Sequence, residues 1–542
     1  MKRVSLISIL ILVSSLVDAQ TYSRQDSLRG SVTLERAWWD LIYYHLDIEV
    51  NPKKKSLEGS VLISYEVLEP NQTLQVDLQS PLKISKIIQE DRELDFQSEG
   101  NAHFVKLKKA QKIGAMESIK VFYGGQPREA VKAPWDGGIS WKEDENGNPF
   151  VASSCQGLGA SVWWPCKDHM YDEVDSMLIS VEVPKDLVNV SNGRLRKVQN
   201  NRKKKTKTYH WFVNNPINNY GVNINVGDYV NWKEVYNGEK GELDITYWAL
   251  TSDQKQAKEQ FKQVPTMLEA LEHWLGPYPF YEDGYQLVQA PYLGMEHQSS
   301  ITYGNNFQNG YRGIDLSGTG WGLKFDFIIV HESGHEWFAN NITAKDLADM
   351  WIHEGFTNYS ESLFLEYHYG KEAGQEYVRG TRKNIQNQFP MIGPYDVNHD
   401  ISDTDVYYMG ANLLNMVRTQ LNDDEKWLSV IRGLGQKFYH QTVTSEQIEN
   451  FMTEKTGLDL GPIFDQYLRT KDVPIFEYYF QDGKLKYRFT NCQKQFTMPL
   501  DLTMGGEKLQ LKPTSAWQET ESSFEGDLSI NPNYYLGILK SR

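Results

Sequence analysis

Two histidines four residues apart, followed nineteen residues later by a glutamate, constrain this chain more than any other feature. His331 and His335 project from one face if the segment is helical, because an α-helix brings positions i and i+4 together. Their imidazoles could then bind one metal ion, and Glu354 offers a carboxylate as the third ligand. Three protein ligands leave a fourth position for water, which is typical of hydrolytic rather than structural zinc sites. We therefore expect one Zn²⁺ per chain.

Glu332 follows the first histidine directly, so it would lie beside the metal rather than bind it. A general base for a metal-activated water is needed at that place, and we assign the role to Glu332. Phe325 and the apolar run at residues 327–330 predict that the start of the helix is buried. A core helix that buries two histidines without a metal is the alternative. Chance explains the pattern poorly, because an HExxH in a chain this long has odds of roughly one or two in a hundred.

Three further stretches accompany the zinc pattern. They are SSCQGLGASVWWPCKD at 153–168, LGMEH at 293–297 and TDVYYMGANLL at 404–414. Together with HExxH, eighteen residues and Glu, these stretches resemble the gluzincin aminopeptidases, the family of aminopeptidase N and the leukotriene hydrolase. The resemblance spans about residues 35 to 475 and implies a zinc-dependent aminopeptidase with a thermolysin-like catalytic domain. Its expected partner is a peptide with a free N-terminus.

The resemblance also implies which residues bind the substrate. Glu296 would pair with the free ammonium group of the peptide, and Gln156 would accept a hydrogen bond from it. Gly294 and Met295 belong to the same exopeptidase motif and are expected at the substrate. A strand-edge carboxylate is the alternative reading of Glu296.

A tyrosine should donate a hydrogen bond to the oxyanion of the tetrahedral intermediate. The family segment Tyr-Xaa-Lys-Gly reads Tyr-Tyr-Met-Gly here, so the register decides which tyrosine acts. Counting three residues back from Gly410 gives Tyr407, and Tyr408 is the alternative. Glu361 is a candidate for orienting one of the two imidazoles, although a solvated helix glutamate is equally compatible with the sequence.

Several positions depart from the family pattern. Leu293 replaces the first Gly of the exopeptidase motif and His297 replaces its last Asn, which affects the pocket for the first side chain. His353 replaces the usual Asn before the metal-binding glutamate. An epoxide hydrolase of the leukotriene branch would carry Asp and Tyr where this chain has His399 and Ser402, so we reject that activity. A thermolysin-like metalloendopeptidase and a zinc-free binding protein that keeps the fold remain the alternatives.

The first nineteen residues predict a secretory signal peptide. Lys2 and Arg3 precede an apolar run at residues 4–17, and Ala19 suits a signal peptidase. The run is shorter than the roughly 20 residues that span a bilayer. We expect an exported mature chain, periplasmic or secreted, without a membrane span; an uncleaved anchor is the alternative.

The amino-acid composition limits the classes of partner and the number of disulfide bridges that the chain can have. A formal charge of −15 argues against nucleic acid. The chain has three cysteines, so at most one bridge can form; Cys155 and Cys166 either pair or are two packed thiols. Nothing in the sequence indicates the oligomeric state.

The hydrophobic pattern predicts a multidomain α+β protein. Short alternating runs predict an N-terminal antiparallel β domain at residues 20–240. Helical periodicity predicts a mainly helical catalytic domain at 241–474, and the return of alternation predicts a small C-terminal β domain at 475–542. Asp482 and Gly483 are a hairpin signal inside that last domain.

Overall fold

The computed structural model describes residues 22–399, 405–522 and 524–541. The predicted signal peptide at residues 1–19 and Ser402 lie outside them. Among the helices of the described residues, none is both long and apolar enough to cross a membrane.

The N-terminal part is built on a ten-stranded sheet, preceded by helices α1 (Arg24–Gly30) and α2 (Leu34–Ala37). The strands in spatial order are Arg194–Asn201, Thr206–Val213, Ser176–Pro184, Trp39–Asn51, Ser56–Val67, Met116–Gly125, Lys83–Gln89, Arg92–Glu99, Ala102–Lys106 and Thr73–Asp77. A four-stranded sheet packs beside it, with the order Val188–Val190, Asn225–Gly227, Pro149–Ser154 and Gly138–Glu143.

The expected antiparallel pairing holds for every pair of neighbouring strands in these two sheets except one. Strands Trp39–Asn51 and Ser176–Pro184 are parallel. More than a hundred residues separate them, which leaves room for the long crossover that a parallel pair needs. Alternation within a strand reports which face is buried and not the direction of the neighbour, so the sequence could not show this pair.

The central part, residues 229–469, combines a mixed five-stranded sheet with nine α-helices of the described residues. The strands in spatial order are Tyr229–Gly238, Gly241–Leu250, Tyr285–Gln289, Ile301–Tyr303 and Gly294–Met295. The helices are α3 (Gln254–Gln260), α4 (Gln263–Leu275), α5 (Phe327–Gly334), α6 (Trp351–Tyr369), α7 (Lys371–Thr381), α8 (Asp405–Leu421), α9 (Asp424–Lys437), α10 (Ser445–Thr456) and α11 (Gly461–Arg469). Two short strands, Ile342–Ala344 and Gln441–Val443, pair in parallel. The domain boundary that the sequence predicts between residues 240 and 241 falls at the turn of the first hairpin of this sheet. The division of the chain into domains stays a prediction.

The C-terminal part consists of two small sheets. Their strands are Gln518–Glu521, Lys484–Thr490, Ile475–Gln481 and Gly537–Lys540 in one, and Glu507–Leu511, Leu500–Met504 and Leu528–Ile530 in the other. Asp482 and Gly483 form the predicted hairpin turn, with φ of +53° and +71°. The buried residues of this part, such as Phe476 and Phe489, belong to the same hydrophobic core as the helices of the central part.

Candidate active site

Helix α5 carries the first candidate metal ligand, His331, and its start is fixed by a side-chain cap. Its N-cap is Asp326, whose carboxylate accepts hydrogen bonds from the main-chain N–H groups of Ile328 at 3.1 Å and Ile329 at 3.4 Å. The helix is short, because it ends at Gly334 and His335 is its C-cap. The helical backbone of His335 still brings the two imidazoles together, and the ring centroids of His331 and His335 lie 4.9 Å apart.

His331, His335 and Glu354 meet in the geometry of a metal site. Glu354 Oε2 lies 3.6 Å from His331 Nε2 and 3.3 Å from His335 Nε2, and the three ligand atoms lie within 4.8 Å of one another. The ligand atoms of a tetrahedral Zn²⁺, bound at about 2.0–2.1 Å, stand about 3.3–3.4 Å apart. Glu354 Oε2 is buried and accepts no hydrogen bond from the described residues. A buried carboxylate oxygen is costly without a partner, so the donor set fits Zn²⁺.

Neighbouring groups orient both imidazoles. His331 Nδ1 lies 2.7 Å from Glu361 Oε1, and His335 Nδ1 lies 3.0 Å from the main-chain oxygen of Phe338. These contacts direct each Nε2 toward the common point. Glu361 is completely buried, and the Tyr377 hydroxyl donates to its other oxygen. The structure therefore excludes the solvated reading of Glu361.

Glu332 lies on the wall of the cavity beside the metal ligands. Burial raises the pKa of its carboxyl group, and the charge of the nearby imidazoles counteracts that shift. Strand residue Gly294 packs directly on this carboxylate: a Cβ at position 294 would lie 2.9 Å from Glu332 Oε1 and 2.8 Å from Ile328 Cγ2. Gly294, the only glycine of LGMEH, therefore leaves room for the Glu332 carboxylate.

Gln156 connects the expected ammonium site to the metal site. Its Nε2 donates to Glu296 Oε1 at 3.2 Å and to Glu354 Oε1 at 2.9 Å, so the second oxygen of Glu354 is left to the metal. An amide carries an acceptor oxygen beside its NH₂ group, so Gln156 Oε1 can accept a hydrogen bond from a substrate. The loop is held in place by Arg29, which donates to the main-chain oxygen of Gly157 at 2.9 Å.

The two tyrosines both face the cavity but have different neighbours. The Tyr407 ring stacks on His331, with centroids 5.9 Å apart. Burial raises the pKa of the Tyr407 phenol, and the nearby carboxylate of Glu354 raises it further. Burial also raises the pKa of the Tyr408 phenol, but the nearby carboxylate that raises it further is that of Glu361. Tyr407 is therefore the tyrosine beside the metal ligands.

A close helix crossing sets the position of Tyr407. Helices α6 and α8 approach each other at Gly355 and Gly410, and a Cβ at position 410 would lie only 2.7 Å from the Cα of Gly355. Gly355 follows the metal ligand Glu354, and Tyr407 precedes Gly410 by one helical turn. The two glycines thus let the phenol approach the ligand set.

The remaining motif residues do not reach the cavity. Met295 is buried in the N-terminal core, because side chains alternate along its strand and Gly294 takes the cavity side. His297 contacts the Thr302 hydroxyl at 3.3 Å, and His353 Nε2 accepts from the main-chain N–H of Ala344 at 2.7 Å. Burial lowers the pKa of both imidazoles to about 3, so both are neutral. The expectation that Met295 lies at the substrate finds no support in its position, and both histidines are structural.

The cavity has a volume of about 330 Å³. Its polar side consists of Gln156, Glu296, Glu332, Glu354, Asn358 and the two histidines. Its other walls are apolar or aromatic, and they include Pro134, Trp135, Leu293, Tyr311, Leu316, Phe327 and Ile328. Sequence patterns did not single out the members from 134–135 and 311–316, because loop residues have no periodicity that reports burial. Cys155 and Cys166 are buried free thiols and form no disulfide.

The helix-borne histidine pair, the later carboxylate and the adjacent Glu332 have the arrangement of a zinc metallohydrolase site. Comparison with known proteins gives the family. The model of the peptidase family M1 domain matches residues 260–467, and that of the peptidase M1 N-terminal domain matches residues 41–220. The chain belongs to the peptidase M1 family.

Individual relatives agree with this assignment. Aminopeptidase N of Lactobacillus helveticus is 27% identical over 242 residues, which cover 40% of this chain and 27% of that protein. Leukotriene A-4 hydrolase of Xenopus laevis is 25% identical over 345 residues, covering 60% of this chain and 53% of that protein. The chain thus spans between a quarter and about half of the length of these relatives.

A solved structure shows the same fold. The M1 zinc metallopeptidase of Deinococcus radiodurans, crystallised as a mutant bound to a Tyr-Ser-Ala substrate, superposes with a TM-score of 0.67. The identity is 19%, and the alignment covers 82% of this chain and 97% of that one. The N-terminal β part and the helical catalytic part therefore form the multidomain fold that the sequence predicted.

Proposed function

We propose that this protein is a zinc-dependent aminopeptidase that releases N-terminal residues from peptides. The observation that carries the proposal is the side chain of Gln156, which donates both to Glu296 and to the metal ligand Glu354. An acidic anchor for an ammonium group is thereby joined to the metal site through one amide. An endopeptidase cleft has no need of such an anchor next to its metal.

Each residue of the site has a chemical task in this proposal. His331, His335 and Glu354 would hold the zinc, which when bound supplies a Lewis acid and lowers the pKa of a water molecule. Glu332 takes the proton of the attacking water and passes it to the departing amine. Tyr407 donates a hydrogen bond to the oxygen of the scissile carbonyl as charge develops there.

Glu296 and Gln156 select the chain end. Glu296 pairs with the ammonium group of the first residue, and Gln156 Oε1 accepts a hydrogen bond from it. Holding the ammonium at this place positions the first peptide bond for attack. Three carboxylates line the cavity, at positions 296, 332 and 354. Their negative charge complements both a metal cation and the cationic end of a peptide.

The proposal includes export. The basic start, the short apolar run and the small residue at position 19 support a cleaved signal peptide. The mature enzyme would then act on peptides outside the inner membrane. N-terminal sequencing of the exported protein should give Gln20 as the first residue, and Met1 would contradict the cleavage.

The decisive assay compares aminoacyl chromogenic substrates with their N-acetylated forms. Acetylation removes the positive charge and leaves Glu296 buried without its partner. Breaking such a desolvated pair costs about 2–5 kcal/mol, so the blocked substrates should react at least about 30-fold more slowly. Glu296→Ala should slow the free-amine substrates most and reduce the difference. Equal rates for free and blocked substrates would contradict the proposal and favour a thermolysin-like endopeptidase.

A further inference from the structure

A second buried glutamate lies directly behind the metal site. Glu336 follows the ligand His335 and is completely buried. Its carboxylate accepts hydrogen bonds from the main-chain N–H of Ser299 at 3.1 Å and from Asn340 Nδ2 at 2.8 Å. The hydroxyl of Tyr278 donates to its other oxygen at 2.5 Å. Glu336 is not part of the cavity wall, so it has no role in the proposed chemistry itself.

These donors connect Glu336 to both sides of the segment that carries Glu296. Asn340 Nδ2 also donates to the main-chain oxygen of Glu296 at 2.9 Å. Ser299 lies in the turn after Glu296 and has a φ of +53°, a backbone conformation that few residues adopt without support. Through Asn340 and Ser299, the carboxylate of Glu336 therefore supports the main chain at Glu296 and in the turn after it. This support comes from a residue that does not line the cavity.

We propose that Glu336 is a positioning residue that fixes the distance between the ammonium anchor Glu296 and the metal. This inference depends on the proposed aminopeptidase function. Because His335 and Glu336 are adjacent in the chain, the metal ligand and the support of the anchor move together. A fixed spacing is what lets an anchored ammonium group place the first peptide bond, and not the second, at the metal.

Glu336→Gln tests this role. A carboxylate accepts from all three donors, whereas an amide has one acceptor oxygen and turns its NH₂ group toward at least one of them. The segment should then shift. We expect kcat/KM for free-amine substrates to fall at least about tenfold, mainly through a higher KM. The ratio of free to acetylated rates should shrink, while one zinc per chain and the slow rate on acetylated substrates stay unchanged.

A matched control is available in Asp349. It is also buried, it accepts hydrogen bonds from the hydroxyl groups of Tyr395 and Ser445, and it does not line the cavity. Asp349→Asn should therefore lower the thermal stability without changing the ratio. If Glu336→Gln does not fold, Asn340→Ala removes the donor to Glu296 and should act in the same direction.

The outcomes separate this inference from the proposed function. If the wild type does not discriminate against acetylated substrates, the aminopeptidase proposal itself is wrong. If the wild type discriminates and both variants keep its KM and its ratio, Glu336 does not position the anchor. A reduced ratio in Asp349→Asn as well would show a general loss of stability and would also overturn the inference.

A separate observation concerns the first side chain of the substrate. Trp135 is a large aromatic residue that remains 46% exposed, and it lies at the cavity with Pro134. Its loop belongs to the N-terminal part and is closed by Asp136, whose carboxylate accepts from the N–H of Val131 at 2.6 Å. An exposed tryptophan at the edge of an active site is a contact surface that the folded chain itself does not use.

The loop of Trp135 packs against the loop of Gln156. A Cβ at Gly137 would lie 3.1 Å from Leu158 Cβ and 3.4 Å from the Cα of Cys155, the neighbour of Gln156. Trp135 therefore lies close to the residue that is proposed to bind the ammonium group. The side chain nearest to the ammonium is that of the first residue.

We infer that Trp135 contacts the first side chain, and that the preferred substrates begin with a large apolar or aromatic residue. The inference depends on the proposed aminopeptidase function. The cavity walls agree with it, because their members outside the polar site are apolar or aromatic and no lysine or arginine is among them.

Trp135→Ala should lower kcat/KM for phenylalanyl and leucyl substrates about five- to tenfold more than for an alanyl substrate. Trp517→Ala is the control, because Trp517 is 41% exposed on the C-terminal part and is not at the cavity. The kcat/KM values of Trp517→Ala for the three substrates should match those of the wild type. An equal change across the panel in Trp135→Ala would overturn the specificity role, while the ratio of free to acetylated rates in the same variant reports separately on the aminopeptidase function.

Discussion

A substitution at the crossing of helices α6 and α8 tests quantitatively how Tyr407 is positioned. In Gly410→Ala the new Cβ would lie 2.7 Å from the Cα of Gly355, where ordinary contacts begin at 3.4 Å. The helices must therefore separate by roughly 0.7–1 Å, and overpacking of this kind costs about 1–3 kcal/mol. Alanine favours a helix over glycine by about 1 kcal/mol. The net loss of stability should be no more than about 2 kcal/mol.

The loss of activity should be larger than the loss of stability suggests. Tyr407 lies one turn before Gly410 and moves with the helix, and a shift of about 1 Å can cost up to about 10²-fold in rate. The loss cannot exceed what the phenol contributes, which for one oxyanion donor is about 10²- to 10³-fold in kcat. We therefore expect kcat of Gly410→Ala to fall about 10- to 10²-fold with little change in KM.

The assay is steady-state hydrolysis of an aminoacyl chromogenic substrate, with the melting temperature and zinc content measured on the same samples. Gly433→Ala in α9 is the control, because its Cβ would also be crowded, at 3.0 Å from Phe451 Cζ, but Gly433 does not line the cavity. In the double variant with Tyr407→Phe, the alanine should cost no further activity. Independent, multiplicative losses in the double variant would refute the reasoning, as would a normal kcat in Gly410→Ala.

Three further results are expected. A chelator should abolish activity and Zn²⁺ should restore it, with one zinc per chain by metal analysis; full activity in metal-free protein would exclude the zinc site. Glu332→Gln should keep the zinc and lose about 10²- to 10⁴-fold in turnover, because the amide cannot take a proton; near wild-type turnover would give Glu332 another role. Tyr407→Phe should lower kcat about 10²- to 10³-fold while Tyr408→Phe stays close to the wild type, and the reverse result would mean that the tyrosine register is wrong.

The meeting of the three candidate metal ligands could be predicted from the sequence because their geometry is local. The spacing of His331 and His335 fixes their common face, and it does so even though α5 ends one residue before the second histidine. Glu354 lies on the next helix, and its fixed separation from the pair made it recognisable. The placement of Glu361 needed the structure, since a helical glutamate can be solvated or buried.

Contacts between distant parts of the chain could not be predicted from periodicity. Gln156 lies 198 residues from Glu354 in sequence, and only the family resemblance indicated that they meet. Trp135 was missed because its loop has no repeating pattern. The support of Glu296 by Glu336 was missed because both ends of that network are buried polar groups, whose partners depend on the tertiary packing.

The most direct test of the account is the order in which products form from an unblocked decapeptide. If Glu296 and Gln156 anchor the ammonium group beside the metal, mass spectrometry should show single residues leaving from the N-terminus, one after another, and an N-acetylated copy should remain nearly intact. Internal fragments that form early from both peptides would contradict the account, because they would show a zinc site working in an open cleft without a chain-end anchor.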